Sequence, residues 1–416
     1  MSAWRTEAFA LHALSIEDSL IRATLWDDEN LQRTIDEKEL RRDDAVRLLS
    51  YSGTSARALW ALAGTLRDQG KGRIVSYSRK VFIPLTNLCR DTCGYCTFKK
   101  APWEGGSITM NPQQVVITAE AGKRNNCTEA LFTLGERPEQ RYVEAKDSLR
   151  KLGFSTTLEY LRHASELVLE KTGILPHANP GTMTKKEMAS LRNVNASMGL
   201  MLENVSERLC KPGGPHAHAP SKHPKLRLAT IRNAGELKIA FTTGLLIGIG
   251  ETLEEIVDSL FALKELHAEY GHIQEIIIQN FRAKQNTPMS ANREPSHEFM
   301  LNVVAVARLI FGKDMNIQVP PNLSPESYVD FLSCGVNDWG GISPVTADYV
   351  NPEAPWPEVQ ILNNLCAEHG FRLKARLPIY PEFLVARRQF IPARIATIIN
   401  SMIDREGYVI SRDMRN

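Results

Sequence analysis

Three cysteines fall in one short stretch, Cys89-Arg90-Asp91-Thr92-Cys93-Gly94-Tyr95-Cys96, directly after the apolar run Val81-Phe82-Ile83-Pro84-Leu85-Thr86. The run reads as a strand, so the fold must carry three thiols on a tight loop at a strand end. Three ligands fall one short of a closed structural zinc site. They suit a 4Fe-4S cluster, whose irons normally take four thiolates, and they would leave one iron open to another ligand. A zinc loop, a disulfide with a spare thiol and a ferredoxin-like electron carrier are the competing readings. A ferredoxin needs a fourth cysteine close by, and the next is Cys127.

The rest of the composition fits an enzyme core. The chain has 416 residues with 43% apolar content, enough for one large decorated barrel or for two to three smaller domains. A net charge of +2 argues against a protein that coats nucleic acid. Seven cysteines, an odd number with three clustered, read as thiols and metal ligands in a reducing compartment, not as a disulfide framework. Acidic residues at Glu7, Glu17, Asp18, Asp27, Asp28 and Glu29 do not suit a signal or transit peptide. No apolar run approaches the roughly 20 residues of a membrane span. The expectation is a soluble cytoplasmic protein.

Residues 1–75 read as a helical extension without chemistry of its own, including the helix Ala56–Arg67 stopped by Gly70 and Gly72. Strand-like runs then alternate with amphipathic segments. The strands are expected at 80–86, 130–134, 174–178, 198–202, 240–247, 275–281 and 316–319, with a weak eighth at 336–339. Helices are expected at 112–124, 139–151, 157–172, 184–193, 226–235, 252–270 and 297–312. This repetition predicts a parallel α/β sheet closed into a (β/α)8-like, TIM-like barrel, a six-unit partial barrel being the alternative. The barrel core is expected over 76–341, with its active site at the strand C-termini. Residues 342–416 are expected to form a C-terminal extension that packs on the barrel as a cap. It opens on a proline-rich lid or brace, and from Phe371 its nine Lys/Arg against four Asp/Glu suggest a solvated basic helix.

Polar groups recur where strands end. Gly135-Glu136 follows Ala130–Leu134, and Glu203 follows Met201-Leu202. A carboxylate straight after an apolar run needs solvent, a partner or a ligand. Gly244–Thr252 contains Gly248-Ile249-Gly250-Glu251, whose glycines let backbone approach a flat ring. Gln279-Asn280 ends the next strand with amides able to pair with a heterocycle. His177 and Asn179 stand at the third strand end. The His216–His223 loop holds three histidines; a rigid polar turn is favoured there over a second metal, with His218 a candidate acid or base.

The CxxxCxxC spacing with Tyr95 before the last cysteine resembles the radical S-adenosylmethionine (SAM) superfamily. That resemblance implies a 4Fe-4S cluster on Cys89, Cys93 and Cys96, with SAM on the open iron. It also implies SAM contacts from Tyr95, Gly135, Glu136, Glu203, Gly248, Ile249 and Glu251. Glu203 and His218 are the candidate catalytic side chains. Ser78–Thr86, Cys89–Phe98, Leu175–Gly181, Lys211–Pro224, Thr242–Glu251 and Trp339–Pro344 narrow it to the 7,8-didemethyl-8-hydroxy-5-deazariboflavin (FO) synthases. Over residues 75–385 the chain is similar to the subunit that closes the deazaflavin ring. The substrate so implied is a small molecule, the adduct of a tyrosine-derived unit with 5-amino-6-(D-ribitylamino)uracil, which loses ammonia. His177, Asn179, Gln279 and Asp338 are the candidate substrate contacts, with Asp348 and Asn351 near the eighth strand. The implied partners are a radical SAM subunit that supplies the adduct and a reductant such as ferredoxin or flavodoxin. The sister subunit that couples tyrosine to the aminouracil, a menaquinone-pathway cyclase and a non-catalytic iron–sulfur carrier are the alternatives.

Overall fold

The computed structural model describes residues 19–37 and 40–410. The acidic residues Glu7, Glu17 and Asp18 lie outside these. Eight parallel strands close into a barrel: β1 (Ile74–Thr86), β2 (Glu129–Leu134), β3 (Leu175–Asn179), β4 (Ser197–Gly199), β5 (Phe241–Ile247), β6 (Ile273–Asn280), β7 (Asn316–Gln318) and β8 (Asp338–Ile342). The ladder runs in sequence order, and β1 pairs with both β8 and β2 to close it. Strands buried on both faces explain the near-continuous apolar runs: every residue of β5, Phe-Thr-Thr-Gly-Leu-Leu-Ile, is buried.

The connecting helices start where the sequence provides reciprocal caps. Thr156 and Glu159, Thr184 and Glu187, and Thr252 and Glu255 each exchange side-chain and backbone bonds at a helix N-terminus. These fix where each crossover leaves the barrel mouth. Among the described N-terminal residues, the helix Gly53–Lys71 lies against His297–Phe311, with Trp60 Nε1 donating to Asn302 Oδ1 at 2.7 Å. No described helix is long and apolar enough to cross a membrane.

The basic tail departs from its expected form. Residues 372–376 form a ninth strand, β9 (Arg372–Arg376), parallel to the start of β1. After it, Leu377, Ile379, Tyr380, Phe383, Leu384, Phe390, Ile395 and Ile399 pack beneath Leu175, Ala196 and Ala240, the N-terminal ends of the barrel strands. The tail is therefore the barrel floor, not a solvated helix; its cations hide an apolar pattern that needs the barrel to cover it. Arg376, 3% exposed, reaches inward to Asp338 at 2.7 and 2.9 Å and lies 3.9 Å over the Tyr380 ring.

Candidate active site

The strand C-termini surround a cavity of about 270 Å³. Cys89, Cys93 and Cys96 all line it, and all three thiols are free. Backbone bonds seat their loop on two sides. Arg90 N–H donates to Glu136 O at 2.9 Å. Thr92 N–H donates to His218 O at 2.8 Å, and Gly94 N–H to Pro215 O at 2.7 Å. Asp91, 3% exposed, accepts from Ser221 N and Oγ, so the loop and the polar 215–223 turn form one clasp.

Gly135 lets β2 end against this loop: a Cβ there would stand 2.0 Å from Leu88 O. That approach brings Glu136 N–H to 3.2 Å from Cys89 Sγ. The Glu136 carboxylate, 6% exposed, accepts from Thr182 N–H at 3.0 Å and from the Thr182 hydroxyl. Gly181, at φ +90°, leaves the space for it; a Cβ would meet Glu136 Oε2 at 2.1 Å. Burial pushes the Cys89 thiol up to about 12, and burial raises Cys93 as well.

Opposite stands Glu203, in a left-handed conformation (φ +64°) and 6% exposed. It pairs with Lys222 Nζ and lies 3.7 Å from Arg227. Burial and the Arg227 charge oppose the Lys222 ammonium, but Glu203 and the Cys93 sulfur outweigh them and raise its pKa. Tyr95 shares a 3.0 Å hydrogen bond with His216 Nε2. Burial, then Lys222 and Arg227, push His216 down to about 2, so its imidazole is neutral.

The Gly248-Ile249 turn is held by Glu251, whose carboxylate accepts from both N–H groups at 2.6 and 2.8 Å. Ile249 packs with Leu246, Phe281, Met289 and Tyr95 at the rim. Leu246 and Phe281 line the cavity, whereas Gly248, Ile249 and Glu251 do not, Ile249 packing against those two lining side chains. Asn179, Gln279, Asn280 and Asn351 add four carboxamides to the lining. The proline-rich segment crosses the mouth. Val350 O accepts from Lys284 Nζ at 2.6 Å and from Thr97 Oγ1 at 3.3 Å. Asp348 caps Val350 and Asn351, and Asn322 Nδ2 donates to it at 3.0 Å.

Besides Gly248, Ile249, Glu251 and Asp348, three further expected site residues do not line the cavity. His218 is exposed and contributes only its carbonyl to the clasp. His177 lies deeper in the barrel, 6% exposed, with Nδ1 and Ser197 Oγ 2.7 Å apart. Asp338 begins β8 near the floor, fully buried against Arg376. In their place the structure adds Lys222, Arg227, Arg282 and Lys284, which no sequence pattern marks, while Asn280 joins Gln279 in the lining as the strand-end amides suggest.

Residues 83–263 match the radical SAM superfamily. The chain is 52% identical over 335 residues to the 7,8-didemethyl-8-hydroxy-5-deazariboflavin synthase of Methanopyrus kandleri, covering 80% of this chain and 99% of that protein. The chain belongs to the FO synthase family. It is also 45% identical to the FO synthase of Mycobacterium tuberculosis, over 90% of this chain and 46% of that longer protein. The FeFe-hydrogenase maturase HydG of Carboxydothermus hydrogenoformans shares the fold, with a TM-score of 0.69 at 17% identity, over 86% of this chain and 83% of that one.

The radical SAM cofactors of this family, a 4Fe-4S cluster and SAM, fit the donors present. Among the described residues no three His, Cys, Asp or Glu side chains converge closely enough to hold a single ion. The three thiols line a chamber instead, as suits a cluster whose thiolates sit on separate irons. No fourth cysteine lines the chamber, and a backbone N–H already faces the Cys89 sulfur.

Proposed function

We propose that this FO synthase chain performs the ring-closing reaction, converting the tyrosine-derived adduct of 5-amino-6-(D-ribitylamino)uracil to FO with loss of ammonia, as a carbon–nitrogen lyase. The observation that carries this reading is the meeting, in one chamber, of three free thiols with a wall of four carboxamides. A cluster held by Cys89, Cys93 and Cys96, with SAM beside it, would supply the radical chemistry for hydrogen abstraction from the substrate.

In this reading the protein positions and shields. Cys89, Cys93 and Cys96 hold the cluster. The Gly135-Glu136 strand end and Glu203 face the polar parts of SAM, and the Gly248-Ile249 turn backs the wall for its base. Glu251 acts through that turn. Asn179 and Gln279, with Asn280 and Asn351, offer donors and acceptors to a pyrimidinedione. His177, His218 and Asp338 have no part in it, because none reaches the chamber. The strap at Val350 excludes water from a reactive carbon centre. A sister radical SAM module supplies the adduct, and a ferredoxin or flavodoxin supplies the electron.

The test is anaerobic. Reconstituted protein with SAM, dithionite and the adduct is expected to release 5′-deoxyadenosine and to form fluorescent FO. Coupling of free tyrosine to the aminouracil, with no FO from the adduct, would assign the chain to the earlier step instead.

A further inference from the structure

Trp103 is 76% exposed, the most exposed of the large apolar side chains among the described residues. It lies a few residues past Cys96 and packs edge-on against Tyr142, ring centroids 5.8 Å apart. Tyr142 is buried and packs with Leu88, Ala101 and Ala145, and Leu88 directly precedes Cys89. Val143, beside Tyr142, is 65% exposed. Single exposed apolar residues need no explanation. Here two of them crown an aromatic stack that leads inward to a cysteine of the metal-binding loop.

Arg141 and Lys100 place positive charge beside this patch. Arg141 donates to Arg90 O at 2.7 Å and to Thr92 Oγ1 at 2.9 Å, and its guanidinium lies 5.2 Å over the Tyr142 ring. Arg90, Lys99 and Lys100 belong to or follow the loop. Arg90 is already matched by Asp91 at 4.0 Å and Glu136 at 3.7 Å, and Lys99 by Glu104 at 3.8 Å, whereas Glu144 on the adjoining helix is the carboxylate beside Arg141 and Lys100. Tryptophan and arginine together are the residue types that most often anchor a protein interface.

We infer that the Trp103–Val143 patch is the docking surface for an acidic one-electron carrier protein that reduces the cluster. This rests on the reading of Cys89, Cys93 and Cys96 as cluster ligands. One electron leaves the carrier's reduced centre and one enters the cluster, with no bond or proton exchanged. The stack of Trp103, Tyr142 and Leu88 places the carrier against the loop that holds Cys89. Arg141 and Lys100 steer an acidic partner and make the encounter sensitive to salt.

The test uses the full chain with its cluster, a reduced acidic ferredoxin as probe, and the variants Trp103→Ala, Val143→Glu and Lys100→Glu. Ferredoxin affinity is measured by calorimetry, and cluster reduction by stopped-flow bleaching. Each variant is expected to weaken ferredoxin binding about tenfold or more, the scale of losing one interface anchor, and to slow bleaching in parallel. Dithionite, which needs no docking surface, should reduce variants and wild type alike. Added salt should weaken the wild-type complex. Wild-type ferredoxin binding and bleaching in all three variants would overturn the inference. So would variants that lose affinity for a sister radical SAM module or for a second copy of the chain while ferredoxin reduces them normally. Binding is read without turnover, so failure of the proposed ring closure leaves this result standing.

Discussion

Gly135→Ala tests whether the end of β2 sets the position of Cys89. The added Cβ would stand 2.0 Å from Leu88 O and 2.8 Å from Cys89 Cβ. An ordinary carbon–oxygen contact needs about 3.3 Å, so strand end and loop must part by about 1.3 Å. Both contacting groups lie close to the backbone, and neither can rotate aside. Gly135 N–H also donates to Thr86 O at 2.7 Å, which ties the strand end to β1. Forced overpacking of this kind costs about 1–3 kcal/mol. The same shift pulls Glu136 N–H away from Cys89 Sγ and strains the bond from Arg90 N–H to Glu136 O. Urea unfolding of the metal-free protein should report the stability loss, and iron and sulfide analysis after reconstitution should report a fall in cluster content. Gly105→Ala is the control, because its Cβ would meet nothing within 4 Å. Wild-type stability together with full cluster content in Gly135→Ala would refute the reasoning.

Arg376→Met should destabilise the fold by about 3–5 kcal/mol, because it strands Asp338 buried without its cation. Adding Asp338→Asn should recover part of that loss in thermal unfolding; equal stability of single mutant and wild type would count against the barrel floor described here. Burial holds His177 and His267 down to about 4 and His272 to about 3, so all three fold neutral. Below about pH 6.5 the unfolded chain takes up protons that the folded chain refuses, so stability is full above that pH. It should then fall by up to about 1.4 kcal/mol per pH unit for each group as pH drops toward the folded values. A urea midpoint that stays flat from pH 7.5 to 5 would contradict this. Cys93→Ala should lose the cluster and all SAM cleavage, and retained 5′-deoxyadenosine release would remove Cys93 from the ligand set.

The barrel was legible because most of its strands are apolar runs that alternate with amphipathic helical segments, three of which begin with Thr-x-x-Glu caps. Seven of the expected helical spans and eight strands reappear, 112–124 and 157–172 with the expected bounds and the others with shifted ends. The errors come from register. A weak strand placed at 336–339 puts Asp338 near the mouth, but β8 begins at Asp338, which drops that side chain to the floor. His177 and Asn179 share the inward face of β3. The strand runs through to Asn179, so only Asn179 reaches the chamber. β9 escaped notice because Arg-Leu-Lys-Ala-Arg reads as a solvated segment; what makes it a strand is the free lower edge of β1. Lys222, Arg282 and Lys284 gave no signal, since a lone cation in a loop looks the same whether it faces solvent or a buried carboxylate.

A single peptide oxygen, that of Val350, ties Thr97 beside the cysteine loop to Lys284 beyond the carboxamide wall. Lifting the strap to admit a bulky reactant must therefore break its moorings on both sides together. One backbone atom thus serves as the shared anchor of the chamber's two rims, and a change of conformation at residue 350 would reach both of them.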